Sequence, residues 1–423
     1  MPSTPAPATI LSFEEARHLV EGHGSRLRPR GKELVELLDS AGQVLAEAVV
    51  ADRNFPAFPR ATRDGYAVRA ADLAKLPSTL QVVGEIKAGA DITLKLEAGQ
   101  AAAIMTGAPA PAGADAVVMV EYSSEKGNMV AISREVRAGE NIVPIGSEAK
   151  RGERLLAPGM RLDQAAIAVA ASVGRTRLLV YSKPRVAVLS TGDEVVDIDV
   201  PPAPYQIRNS NSYSLAAQIQ AAGGEPVLLP IAPDEPERLR ELMTEGFDAD
   251  LLLLTGGVSM GKYDLVEQVL ADFEAEFFFT GAQIQPGRPI VVGRIPWKGG
   301  PVREDASTEP SHKYFLGLPG NPVSTMVTFE LFARPVLEAL AGMTPRKLAF
   351  LHARLKSEIK TKPGLKRFLP ALLSGEFEQA EVELVRWQGS GDIAATVRAN
   401  CYVVIPPDRE QITAGEWVPV LMR

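Results

Sequence analysis

Four short segments bring carboxylates or hydroxyls next to residues that bend the backbone. They are Thr191-Gly192-Asp193-Glu194, Asp234-Glu235-Pro236-Glu237, Thr255-Gly256-Gly257-Val258-Ser259-Met260-Gly261 running on to Asp264, and Gly317-Leu318-Pro319-Gly320-Asn321-Pro322-Val323-Ser324. Glycines let a backbone approach a ligand and turn its N–H groups toward an anion. A helix opening at Asn321 adds free N–H groups and about half a positive charge. Asp193, Glu194, Asp234 and Asp264 supply the oxygen ligands that suit magnesium on phosphates. Arg288, in Gln285-Pro286-Gly287-Arg288-Pro289, offers a forked contact to an oxyanion. Together the set suits a phosphorylated or otherwise anionic small molecule. Each member also has a plainer reading. Asp234 with Glu237, and Asp264 with Glu267, fit helix starts in which the aspartate is a cap. Asp193, Glu194 and Asp64 fit ordinary turns, and Arg288 a solvated loop arginine.

The elements around these segments read as alternating strands and helices from Arg185 onward, which predicts a parallel sheet. Leu251 to Leu254 is a strand buried on both faces. Strands are also expected at Arg185–Ser190, Val227–Ile231, Ile290–Ile295 and Tyr314–Leu318. Helices are expected at Asn211–Ala222, Asp234–Gly246, Asp264–Phe273 and Asn321–Leu340, the last capped by Asn321 and kinked at Pro335. Three of the four segments then follow strand ends, where ligands bind in open α/β sheets. Lys298 to Lys313 reads as a mobile polar loop. Toward the N-terminus, Ser12-Phe13-Glu14-Glu15 is a capping box, and Leu34, Leu37 and Leu38 suggest a second helix from Glu33. Asn54 to Arg69 is a shaped loop with an Asp64-Gly65 turn. β-like runs follow to Ile132, and a helix from Asp163 ends at Gly174. After Pro345, short strands punctuated by glycines read as a small all-β barrel or sandwich.

The domain expectation is a discontinuous N-terminal linker domain (1–53 plus 140–180), an inserted β-rich domain (54–139), an α/β domain (181–344) and a C-terminal β-barrel (345–423). The chain has 423 residues, a formal net charge of −7, one cysteine and four histidines. Acidic balance argues against a nucleic-acid binder. A single Cys401 in an apolar run is read as a buried, inert thiol, and no zinc-ligand spacing is present. No apolar run approaches the ~18 residues of a membrane span, and Met1–Thr9 lacks the pattern of a signal peptide. The expectation is a cytoplasmic protein without a membrane partner. Walker A, G-x-G-x-x-G, H-E-x-x-H and G-x-S-x-G patterns are all missing, which weakens NTPase, dinucleotide, zincin and serine-hydrolase readings.

Five segments in order resemble the MoeA family of molybdopterin molybdenumtransferases, whose animal counterpart is the C-terminal part of gephyrin. They are Asp64-Gly65-Tyr66-Ala67-Val68, Ile104-Met105-Thr106-Gly107-Ala108, Ser190 to Glu194, Thr255 to Ser259 with Asp264, and Gly317 to Ser324. The resemblance implies a molybdopterin-binding-like α/β domain, an inserted β-rich domain and a C-terminal β-barrel. It also implies a homodimer with a site built from both subunits. The reaction implied is insertion of molybdate into adenylylated molybdopterin, with magnesium required and AMP released. A molybdopterin-adenylylating protein would act before it and molybdoenzymes after. Asp64, Thr106, Glu194, Asp234 and Asp264 match family positions implicated in activity, as do Pro319 and Pro322. On this reading Asp264 with Asp193 or Glu194 positions magnesium, and Thr255, Gly256, Gly257, Ser259 and Gly261 cradle the pterin phosphate. Arg288, Ser324 and the N-terminus of the Asn321 helix then hold molybdate, and Gly320 belongs to the cofactor-binding set. Two departures stand out: Ala61-Thr62-Arg63 replaces Ser-Ala-Met, and Gln285 and Arg288 replace the lysines of Lys-Pro-Gly-Lys-Pro. Losing a cation at Gln285 weakens an oxyanion site unless another base compensates. Two other readings remain: adenylyl transfer to molybdopterin, or a scaffold that binds cofactor without turnover.

Overall fold

The computed structural model describes residues 9–89, 93–257, 265–297, 312–343, 346–376 and 379–423. Ser259, Gly261, Asp264 and the expected loop's residues 298–311 fall outside these. The chain forms two compact units. One comprises 1–34, 42–46 and 179–423, the other 35–41 and 47–178.

The first unit is built on a six-stranded sheet. Its strands are β1 Arg185–Ser190, β2 Glu225–Leu228, β3 Leu251–Thr255, β4 Glu276–Phe279, β5 Val291–Pro296 and β6 His312–Leu318, in the spatial order β2-β1-β3-β6-β5-β4. The first four in that order run parallel; β5 runs back antiparallel to β6, and β4 pairs antiparallel to β5 at the edge. The β4 edge was not expected. Helices α1 Ser210–Ala221, α2 Pro236–Gly246, α3 Leu265–Asp272 and α4 Pro322–Thr328 are interleaved with the strands in the chain. The run of leucines in β3 follows from this position. Leu252 and Leu254 pack with Leu239, Leu242 and Val266, while Leu251 and Leu253 pack with Val323, Val327 and Phe329. A strand covered on both faces has no solvent side, so the polar–apolar alternation disappears. Truncating one such leucine to alanine costs about 2–5 kcal/mol.

The long C-terminal helix expected from Asn321 is three pieces: α4, a π-helical turn at Phe329–Ala333, and a helix at Arg334–Leu340. Pro335 has no N–H to donate, and the wide turn just ahead of it absorbs the break. The helix Phe13–Gly24 starts with the expected box, Ser12 and Glu15 bonding reciprocally. Its Phe13 ring meets Phe332 at 6.2 Å and Phe368 at 5.3 Å between centroids. Strands Phe350–Leu355, Lys366–Ser374, Glu381–Leu384, Cys401–Ile405 and Trp417–Met422 close a five-stranded barrel, because Lys366–Ser374 pairs with both Glu381–Leu384 and Cys401–Ile405. Cys401 is fully buried in it, and burial pushes its thiol up to about 11.

The second unit carries another six-stranded sheet, ordered Ala116–Met119, Gly65–Val68, Gln100–Ile104, Ser78–Ile86, Met129–Ile132, Ser123–Lys126. The helix at Gln164–Ser172 is capped by Asp163, as expected. The expected helix from Glu33 is instead the strand Lys32–Glu36 followed by a turn. Leu34 and Leu38 are 50% and 80% exposed, so their spacing marks no buried helical face. No described helix is long and apolar enough to cross a membrane.

Candidate active site

Register brings three turns together. Ser190 pairs with Thr255, and Thr255 with Leu318, so β1, β3 and β6 end level with one another. The turns that follow, at Thr191, Gly256 and Pro319, open on one cavity of about 560 Å³. Its described lining also includes Glu194, Pro289, Gly320, Asn321 and Pro322, and the stretch Ile207 to Asn211. This is the carboxyl end of a parallel sheet, where such crevices hold ligands.

Local chemistry fixes the geometry. Gly256 and Gly257 have φ of +92° and +60°, and a Cβ on Gly256 would lie 2.4 Å from the Thr191 carbonyl oxygen. Only glycine fits so close to the neighbouring turn. The Asn211 amide nitrogen donates to Thr255 Oγ1 at 2.9 Å and to the Gly320 carbonyl at 2.7 Å. It thereby braces the turn after β3 against the turn after β6. Beneath it, Ser190 Oγ lies 2.9 Å from Asn209 Oδ1 and 2.8 Å from Ser212 Oγ. Asn209 Oδ1 in turn accepts the Ser212 N–H and caps α1.

Three carboxylates, Asp193, Glu194 and Asp234, gather beside the cavity, and Glu194 belongs to its described lining. Gly192 N donates to the Ala232 carbonyl, and Asp193 Oδ1 accepts the Asp234 N–H at 3.1 Å. Asp234 does not cap α2: the cap position is Glu235, which makes no side-chain cap bond. Burial, then the charges of Asp193 and Glu194, push the Asp234 carboxyl above its ordinary range. Glu194 faces the cavity and folds back so far that a Cβ on Gly192 would touch its carboxylate at 2.4 Å. Among the described residues, no cluster of three or more His, Cys, Asp or Glu could close round a metal by itself. The donors are hard oxygens that repel one another. This fits magnesium, which keeps several waters and takes one or two carboxylates.

Asp64 and Thr106 meet in the second unit. Asp64 Oδ1 accepts the Thr106 N–H at 2.6 Å, and bonding from Thr106 holds the exposed carboxyl below its ordinary range. Gly65 has φ of +157°, and a Cβ there would sit 1.9 Å from the Val118 carbonyl oxygen. The Asp-Gly pair therefore belongs to a tightly paired strand rather than a free turn.

The remaining expected residues fall in several places. Pro319, Gly320, Asn321 and Pro322 line the cavity. Asn321 stands at the cap position of α4 but makes no side-chain cap bond, which corrects the expectation. The Val323 N–H is taken by the Ser390 carbonyl of the barrel at 3.0 Å instead. Ser324 is 4% exposed. Arg288 is exposed and stands outside the described lining, although its neighbour Pro289 is part of it. Arg208, Asn209 and Asn211 were not singled out from the sequence. The one signal was the Asn209-x-x-Ser212 cap spacing, which reads as a helix start and nothing more.

Three family models cover the chain in order: "MoeA N-terminal region (domain I and II)" over residues 11–174, "Probable molybdopterin binding domain" over 187–339, and "MoeA C-terminal region (domain IV)" over 352–422. The chain belongs to the MoeA family. Among its relatives, a molybdopterin molybdenumtransferase of Nostoc sp. is 34% identical, with 99% of this chain and 94% of that protein covered. One from Bacillus subtilis is 32% identical, covering 92% and 89%. The solved structure of a molybdopterin biosynthesis MoeA protein from Pyrococcus horikoshii OT3 superposes with a TM-score of 0.76 at 26% identity, covering 98% of this chain and 100% of that one. The MoeA fold thus accounts for both sheets and the barrel, and the cavity lies in the part matched by the molybdopterin-binding model.

Proposed function

We propose that this chain is a molybdopterin molybdenumtransferase of molybdenum cofactor biosynthesis, which inserts molybdate into adenylylated molybdopterin and releases AMP. The observation that carries this is the cavity at the level ends of β1, β3 and β6, lined by the glycine turn at Gly256-Gly257 and by Glu194. Asp193 and Glu194, with Asp264, would hold magnesium, which would offset phosphate charge. Thr255, Gly256 and Gly257, with Ser259 and Gly261, cradle the phosphates, and Asn211 braces Thr255 against Gly320. Arg288, Asn321 and Ser324 act on the molybdate side, and Asp64 and Thr106 contribute to the same reaction. Catalysis then comes from positioning and fixed charge, not from a protein nucleophile. The chain works as a cytoplasmic homodimer, receiving substrate from a molybdopterin-adenylylating protein and delivering product to molybdoenzymes.

The test is molybdate-dependent AMP release from adenylylated molybdopterin with magnesium, in wild type and Asp264→Asn. Asparagine caps a helix about as well as aspartate. Wild-type release with a variant slowed by orders of magnitude supports both the activity and the role of Asp264. Equal rates keep the activity and reduce Asp264 to a cap. No wild-type release with molybdate or tungstate sinks the reading.

A further inference from the structure

The described lining of the cavity carries two full charges, Glu194 and Arg208. Arg208 ends one short strand, and Glu194 stands in the turn just before its neighbour. Val195–Val196 pairs in parallel with Ile207–Arg208, and the Ile207 N–H donates to the Glu194 carbonyl at 2.8 Å. The two side chains nevertheless do not pair. Neither makes an ion pair or side-chain hydrogen bond to any described residue, although other exposed arginines of the chain, such as Arg238 and Arg409, have carboxylate partners. Opposite charges that share a cavity and stay apart are each open to a third body.

The backbone on both sides of Arg208 is fixed. Ile207 is held by the bond to Glu194, and Asn209 N donates to the Val196 carbonyl at 2.8 Å. Asn209 is itself 6% exposed and tied into the Ser190–Ser212 network below the cavity. The guanidinium therefore leaves from an anchored position at the mouth. The cation first expected to serve an oxyanion, Arg288, stands outside this lining.

We infer that Arg208 is an anion-binding residue of this cavity and takes a tetrahedral oxyanion, a nucleotide phosphate or molybdate. The assignment rests on the proposed function for the identity of the anion, but not for its charge. A guanidinium offers two parallel N–H donors to such an oxyanion and stays charged across the working pH range. Glu194 and the acidic rim then receive the metal side of the same ligand. The ligand is thus oriented between a fixed cation and a fixed set of carboxylates.

The experiment is calorimetric titration of the full-length protein with AMP and, separately, with molybdate, both with magnesium. Wild type is compared with Arg208→Lys, Arg208→Gln and Arg288→Gln. Arg208 is exposed, so its variants should melt as wild type does. The expected order of affinity is wild type above Arg208→Lys above Arg208→Gln, with the glutamine variant at least about tenfold weaker for one ligand. Which ligand weakens distinguishes a phosphate contact from a molybdate contact. Turnover should show the same loss with kcat kept, as a raised KM for molybdate if molybdate binding weakens, or for adenylylated molybdopterin if AMP binding weakens. Arg208→Gln binding both ligands as wild type does overturns the assignment, as does a loss confined to Arg288→Gln. Loss of binding in Arg208→Gln, with no turnover even in wild type, supports the oxyanion site and overturns the enzymatic reading instead.

Discussion

Two exposed aspartates beside strand ends are held in opposite ways. Asp64 accepts a backbone N–H from Thr106 at 2.6 Å, and that bonding favours its charge. Asp234 is half-encircled by burial and the carboxylates of Asp193 and Glu194, which disfavour its charge. No described cation pairs with any of those three. The first carboxylate is satisfied as the protein stands. The second rim stores repulsion that a bound cation would relieve. Carboxylates of similar exposure thus divide into one whose charge the fold favours and one whose charge its neighbours disfavour.

The largest expected effect sharpens that division. Glu194→Gln should slow AMP release by about a thousandfold and raise the magnesium needed for half-maximal rate, since fixed charge at a reacting phosphate carries factors of this order. A variant with wild-type magnesium dependence would remove the rim from metal binding. Asp64→Asn should slow release about a hundredfold while leaving magnesium dependence alone; a shifted magnesium curve would erase the contrast. Asn211→Leu strips the partners from Thr255 Oγ1 and the Gly320 carbonyl. Denaturant unfolding should show about 1–3 kcal/mol lost, and an unchanged midpoint would mean the brace carries no load. The smallest effect is in pH. Asp64 has a lowered folded pKa, so its contribution to stability is present above the unfolded value and fades as pH falls through the folded one. Asp234 has a raised folded pKa, so its ionisation costs stability as pH rises above the unfolded value. Asp64→Asn should therefore melt lower than wild type at pH 7 and Asp234→Asn higher, both differences shrinking on acidification. Shifts of the same sign in thermal melts would break the comparison.

Much of the frame was legible in the sequence because it rests on local rules. Four leucines between turn residues, paired glycines at Gly256-Gly257 and the capping box at Ser12 each have one cheap solution. The misreadings share a cause, which is a distant partner. Asn321 does not cap because Ser390, far along the chain, reaches the N–H that α4 leaves open. Leu34, Leu37 and Leu38 have helical spacing, yet Leu37 N donates to the Thr176 carbonyl and the segment is extended and then turns. Asn211 and Arg208 were invisible for the same reason. Their meaning depends on Thr255, Gly320 and Glu194, which register, not spacing, puts beside them.

The bond from Val323 N to the Ser390 carbonyl makes the barrel part of the cavity's floor plan. A truncation that stopped before the barrel would strip the start of α4 of its acceptor, next to Asn321 and Pro322. Deletion variants of this chain therefore confound two losses, the module and the shape of the pocket mouth. A chimera with a relative's barrel should be judged first by whether its 389–391 loop presents a carbonyl at the same place. By that measure, the last 79 residues, 345–423, are less an appendage than a lintel over the door.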